Sequence, residues 1–302
     1  MVNSGGLEAV RRSHRRREDP VLVDMEDKAM ASMFDLADIY IWLPSFWLIN
    51  PGQTEKILKT WPGRSIHFNW VIDPNDPVEF GLFSGVYEKA LFIDYAALDF
   101  RQLELIATLR NSTVQITNPA GRYLTFTLKK AHFHRGNGQA SKEFISSYSR
   151  PGSARDREVD LPAGAIRTVD ISDAQRRLVC SGETFFGRQV GTLVYTFGNG
   201  CITSVESQHH NDYVQSVPGI QTEDKDRIGE LNLGASPGLP NLPKYPESVP
   251  YFGYGDGVIR LSLGDNQESG GDVISSYHHW LFLTDATVKA DGKTLTERGK
   301  LA

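Results

Sequence analysis

The residues of this sequence best suited to chemistry are its histidines, taken in pairs. His132 and His134 lie two apart, a spacing that on a β-strand puts both imidazoles on one face and offers a metal two nitrogen donors. His209-His210 and His278-His279 are adjacent pairs. A site built from these pairs would be a new metal centre; the plainer reading places the first two pairs on the surface or at hairpin tips. Cys180 and Cys201 sit in no nucleophile motif and lack metal-type spacing, so they read as ordinary core residues. The segment Gly253-Tyr254-Gly255-Asp256-Gly257 lacks the flanking strand and helix that a phosphate cradle needs.

The elements that must position such residues read in two parts. The 302 residues are 40% hydrophobic and 23% charged, enough apolar material for a packed core. Between Lys28 and about Arg110 the pattern is α/β. Ala37–Leu43 reads as a strand, 54–61 as a helix, 67–72 as a strand and 88–93 as another. Helical spacing then follows at Leu98, Leu103, Ile106 and Leu109. From Thr113 the sequence alternates with period two. Residues 113–117 and 123–128 form a hairpin around Asn118-Pro119-Ala120-Gly121, and 191–197 and 201–205 form another around Gly198-Asn199-Gly200. Val258–Leu263 and Leu281–Val288 read as further strands, with a turn at Asp291-Gly292. The fold class is α+β: an α/β N-terminal domain over 19–112 with a shortened parallel sheet, then a strand-rich C-terminal domain over 113–302. Residues 135–160 and 234–257 read as loops, the second carrying five prolines with Tyr245, Tyr251, Phe252 and Tyr254.

Composition excludes several functions. Lys and Arg total 32 against 37 Asp and Glu, a net charge of −5, which argues against nucleic-acid binding across the domain. The basic cluster Arg11, Arg12, Arg15, Arg16 and Arg17 reads as a solvated segment. No apolar run is long enough to cross a membrane and no signal-peptide core is present, and two cysteines make no disulfide framework; a reduced, cytoplasmic setting is expected.

Several short motifs occur in a fixed order: Val114-Gln115-Ile116-Thr117-Asn118-Pro119-Ala120-Gly121, Leu161-Pro162-Ala163-Gly164, Ile228-Gly229-Glu230-Leu231-Asn232-Leu233-Gly234, Leu261-Ser262-Leu263-Gly264-Asp265-Asn266, Gly270-Gly271 with Ser275-Ser276-Tyr277-His278, and Asp291-Gly292. Over roughly residues 88–295 this order resembles the thermophilic metalloaminopeptidases of the aminopeptidase T type and their ring-cleaving relatives, the 2,5-dihydroxypyridine dioxygenases. The resemblance implies an α/β domain followed by a strand-rich domain with a metal site. Aminopeptidase members hold two divalent metals with acidic residues and histidines, and dioxygenase members hold one ferrous ion with two histidines and an aspartate.

Carried over position by position, most of those ligands are absent. Ala165 stands where the resemblance implies a glutamate, Arg260 where it implies a histidine, and Trp280 where it implies an aspartate. Glu230 and His278 keep ligand-type side chains. His132, His134, His209 and His210 match no ligand position. No metal and no cofactor are therefore expected, nor a catalytic residue. Arg260 and Glu230 form either an internal salt bridge with Trp280 filling the emptied pocket, or a ligand-binding constellation with the arginine forked onto a carboxylate.

The first functional reading is a catalytically silent, metal-depleted relative that binds a peptide or amino-acid-like ligand, an accessory protein in peptide-modifying biosynthesis. Its ligand-binding residues are Glu230, Arg260, His278, His279, Trp280, Tyr251 and Tyr254. The alternative is a metal-dependent hydrolase or ring-cleaving dioxygenase with a rearranged site using Glu230 and His278. The expected partners are that ligand and, from the resemblance, a second copy of the chain in a homodimer, with no nucleic acid and no membrane.

Overall fold

The computed structural model describes residues 28–29, 31–42, 57, 60–68, 77–121, 123–150, 153, 155–185, 187–216, 226–241, 253–275 and 278–302. In chain order the elements are β1 (Ile39–Trp42), β2 (Arg64–Phe68), α1 (Pro77–Leu91), α2 (Tyr95–Leu109), β3 (Thr113–Thr117), β4 (Tyr123–Thr127), β5 (His134–Arg135), α3 (Lys142–Tyr148), β6 (Glu158–Leu161), β7 (Ala165–Thr168), β8 (Ser172–Phe185), β9 (Arg188–Gly198), β10 (Cys201–Ser207), α4 (Asn211–Ser216), β11 (Ile228–Gly234), β12 (Ile259–Gly264), β13 (His278–Leu283), β14 (Thr287–Ala290), β15 (Lys293–Glu297) and β16 (Lys300–Leu301). None of the described helices is long and apolar enough to cross a membrane.

The class is mixed α+β. Three parallel strands form a small sheet in the order β1-β2-β6. A large antiparallel sheet runs β10-β9-β8-β4-β3-β14-β15-β16, and a second antiparallel sheet runs β13-β12-β11-β7-β5. The parallel sheet takes β6 from beyond residue 113, so it draws on both sides of the 112/113 division that the sequence pattern suggests.

One apolar cluster holds the two antiparallel sheets and α2 together. It includes Val114, Ile116, Leu124 and Phe126 from the large sheet, Leu231, Leu233, Leu261 and Leu281 from the smaller one, and Leu98, Ile106 and Leu109 from α2. Helix α2 begins where Asp94 accepts hydrogen bonds from the amides of Ala96 and Ala97, each at 3.0 Å, satisfying two of the amides that a helix start leaves open.

The centre of the five-stranded sheet is buried on both faces: every residue of β11 and β12 is buried. Alternation divides the two strands sharply. Leu231, Leu233, Ile259, Leu261 and Leu263 turn to the apolar cluster. The alternating positions are polar: Glu230 and Asn232 on β11, Arg260 and Ser262 on β12. Register lines these up across strands. His134, Arg167, Asn232, Arg260 and Phe282 form one row, and Glu230, Ser262 and Trp280 form the next. A buried polar face of this kind is tolerated only if its groups find partners.

Several expectations from the sequence are corrected. Residues 88–91 are the end of α1, not part of a strand, because Val86 and Ala90 share the inward face at helical spacing while Phe92 just beyond is 83% exposed. On α2, Leu103 is exposed and Gln102 is buried, its side-chain amide donating to the Gly136 carbonyl at 3.0 Å. Residues 281–288 are two strands, since the chain turns at 284–286 to pass from the five-stranded sheet to the large one. The polar stretch 135–160 is no open loop: it contains α3, a short 3-10 helix at Arg155–Arg157 and β6. Strand β2 begins at Arg64, earlier than position 67. Most of the expected helix at 54–61, residues 69–72 and Tyr251 lie outside the described residues.

Candidate functional site

The polar face of the five-stranded sheet carries a buried ionic cluster. Arg260 donates from Nη2 to Glu230 Oε1 at 2.7 Å, with Arg260 3% and Glu230 7% exposed. The other Glu230 oxygen accepts from Ser269 Oγ at 2.8 Å. The Arg260 guanidinium lies 4.6 Å from the Trp280 ring centroid and 6.0 Å from that of Tyr254. Trp280 Nε1 in turn donates to His278 Nε2. The backbone reaches this arrangement by a tight turn before β12. Gly253 has φ +79°, and a Cβ there would stand 2.9 Å from the Cβ of Arg260.

A second charged layer meets the first. Asp160 on β6 accepts at Oδ2 from Arg167 Nη2 at 2.6 Å and from the Tyr254 hydroxyl at 2.8 Å. Glu158 pairs with Arg155, which also reaches Glu268 at 3.3 Å. Asp156 takes His132 Nε2 at 3.3 Å and His134 Nδ1 at 3.6 Å. Between the layers a cavity of about 10 Å³, room for roughly one water, is lined in part by Arg155, Arg167, Glu230 and Ser269.

The charges set one another's protonation. Burial alone would raise the pKa of Glu230, but Arg260, Arg167 and Arg155 outweigh it and bring it down to about 2. Asp160 follows the same logic: burial opposes ionisation, and Arg167 and Arg155 hold the carboxyl far below the usual range. Burial and then the Asp160 carboxylate raise the Tyr254 hydroxyl, which stays a neutral donor. Burial lowers His278, and burial together with His278 lowers His279 to about 4, so both rings are neutral near pH 7.

Of the residues singled out in the sequence, Glu230, Arg260, Trp280, His278 and Tyr254 come together. His279 does not join them: one residue along β13 it faces the other way, with its ring 5.5 Å from that of Phe185. His209 and His210 are exposed beyond β10. His134 is buried at 4% exposure against Asp156, which corrects the surface reading of the 132/134 pair. Cys180 is buried in the core cluster.

Sequence reasoning missed the second layer: His67, Arg155, Glu158, Asp160 and Arg167. Its available signal was the Glu-x-Asp alternation at 158 and 160, which marks one face of a strand.

Position 165 is alanine, Arg260 occupies the Glu230 oxygen, and the His278 ring accepts from Trp280. No protein-family model matches the chain, and no curated protein does. Solved structures share the fold, two of them over most of this chain. One is AmpT from Thermus thermophilus, at 16% identity and a TM-score of 0.61, covering 97% of this chain and 84% of that one. The other is 2,5-dihydroxypyridine dioxygenase from Pseudomonas putida KT2440, at 16% identity and a TM-score of 0.59, covering 92% of this chain and 75% of that one. The chain therefore has a fold shared with an aminopeptidase T and a 2,5-dihydroxypyridine dioxygenase.

Proposed function

We propose that the protein is a catalytically silent member of this fold that binds a peptide or amino-acid-like ligand beside the Glu230–Arg260–Trp280 cluster. The observation that carries the reading is the place of β13. Among the described residues the five-stranded sheet ends at this strand, and the same strand presents His278 and Trp280 next to Arg260. An extended peptide adds to such an edge as a further strand, with affinity from main-chain hydrogen bonds and specificity from flanking side chains. Arg260 then serves as a floor fixed by Glu230, and the exposed side of Trp280 supplies an apolar wall.

The test is titration with a peptide panel, followed by tryptophan fluorescence and by calorimetry. A binding peptide methylated on alternate backbone nitrogens loses affinity if it joins the sheet, and Trp280→Ala weakens binding by roughly tenfold, on the scale of a lost aromatic contact. Equal affinity for the methylated peptide removes edge addition; no binding by any peptide removes the reading.

The competing reading is a metal-dependent hydrolase or ring-cleaving dioxygenase using Glu230 and His278, and the fold similarity favours it. It requires Arg260 to leave Glu230. A tightly bound metal that is lost in Glu230→Gln, together with turnover that disappears in the same variant, would establish it.

A further inference from the structure

We propose that His67, Glu158 and Asp160 form a binding site for one divalent cation of the zinc or manganese type. The site lies on the parallel sheet, away from the positions where the resemblance places metal ligands, and it stands or falls independently of the peptide-binding reading.

The backbone brings the three side chains together. Strands β2 and β6 are parallel neighbours, with Ser65 opposite Glu158 and His67 opposite Asp160. Residues two apart on one strand share a face, so His67, Glu158 and Asp160 project to the same side. The His67 ring is held by Trp42 of β1, stacked at 3.9 Å between centroids and 20° between planes.

The spacing is that of ligands around one ion. His67 Nδ1 stands 3.4 Å from Glu158 Oε1 and 3.7 Å from Asp160 Oδ1, and one donor atom of each residue lies within 4.8 Å of the others. The first is a long hydrogen bond and the second lies beyond hydrogen-bond range. Two donors about 2.1 Å from a metal at a tetrahedral angle lie roughly 3.4 Å apart. One imidazole and two carboxylates suit a borderline divalent ion and leave a coordination position for water. Among the described residues this is the one group of three such donors so arranged.

The surrounding groups act as supports for such a site. Arg167 and Tyr254 both bind Asp160 Oδ2, leaving Oδ1 toward His67. Hydrogen bonds to the outer oxygen of a ligating carboxylate fix its orientation. Arg155 Nη1 is bonded to Glu158 Oε1, the same oxygen that faces His67, and its Nη2 reaches Glu268, so an ion takes Oε1 from Arg155 while Arg155 keeps the Glu268 carboxylate. Glu158 and Asp160 are 8% and 1% exposed, and a cation between them offsets the repulsion of two buried carboxylates. This departs from the sequence expectation that the chain holds no metal.

The protein is stripped with a chelator, dialysed, and titrated with Zn²⁺ by calorimetry. One saturable site per chain is expected, weakened at least tenfold in His67→Ala and unchanged in His209→Ala. No saturable binding, or equal affinity in His67→Ala, overturns the proposal. X-ray absorption of the zinc-loaded wild-type protein needs no variant and reads the ligands directly. A shell of oxygen donors with one imidazole is expected; two imidazoles or a sulfur ligand overturns it.

Discussion

Two buried acidic clusters in this molecule have settled their charge in different ways. On the five-stranded sheet, Glu230 and Arg260 touch at 2.7 Å, and both carboxylate oxygens have a donor from Arg260 or Ser269. On the parallel sheet, His67 stands off from Glu158 and Asp160 at 3.4 and 3.7 Å, while arginines and a tyrosine bind those carboxylates. The first arrangement is closed, since the arginine supplies charge and hydrogen bonds together. The second has guanidiniums too, from Arg155 and Arg167, but an imidazole also faces both carboxylates, which is the donor set proposed above for a cation. The lesson is that a buried carboxylate by itself says little about metal binding; both clusters are held by arginines, and what sets the second apart is the imidazole of His67 beside its two carboxylates.

The largest expected effect breaks the closed cluster. Arg260→Ala leaves Glu230 buried without its partner and should cost about 3–5 kcal/mol in urea unfolding. The double variant Glu230→Gln/Arg260→Met should recover much of that loss. If single and double variants are equally unstable, the pair is not what stabilises this face.

Acid titration comes next. Glu230 has a pKa of about 2 in the folded protein against 4.5 for an ordinary glutamate. A carboxylate whose pKa drops on folding stabilises the fold above its unfolded value and gives that up as pH falls through its folded one. For Glu230 this amounts to about 3 kcal/mol, lost between pH 4.5 and 2. His279, lowered from 6.5 to about 4, favours the neutral ring and loses its contribution as pH falls through that higher window. Stability measured by chemical unfolding should therefore begin to decline near pH 6.5 and steepen below 4.5. His279→Gln should shrink the upper limb, to which the lowered His278 and His134 also contribute, and Glu230→Gln should flatten the lower. A profile level down to pH 4 would contradict the histidine assignment.

Tyr254 joins the clusters, with its ring near Arg260 and its hydroxyl on Asp160. Tyr254→Phe removes only the hydrogen bond to the charged oxygen and should cost about 2 kcal/mol. If the second layer takes up a cation, the same variant should also weaken Zn²⁺ binding by loosening Asp160. Unchanged stability would mean that Arg167 alone suffices.

The smallest effect is at the rim. Trp280→Leu keeps an apolar cover but loses the ring 4.6 Å from Arg260, worth about 1 kcal/mol of stability. A loss as large as that of Arg260→Ala would make Trp280 a core element and not a wall beside a ligand.

Much of the scaffold was legible in the residues. Period-two alternation at 113–117 and 123–127 gave the first hairpin, and Gly198-Asn199-Gly200 marked the second, because local turn chemistry and local alternation carry that information. The run at 88–91 misled because a short apolar stretch has the same composition at the end of a helix as in a strand. Glu230, Arg260 and Trp280 could be grouped from the order of motifs, although their separation in sequence says nothing about who pairs with whom.

The sequence by itself determined which side chains share a face, since alternation along β6, β11 and β12 is a local property of extended backbone. Tertiary structure alone decided which faces meet. Asp160 binds Arg167 seven residues on but also Tyr254 from a turn 94 residues away, and His67 reaches residues 91 and 93 positions later. Such pairings depend on strand order and on the packing of one sheet against another, and charge is matched only after those long-range choices are made.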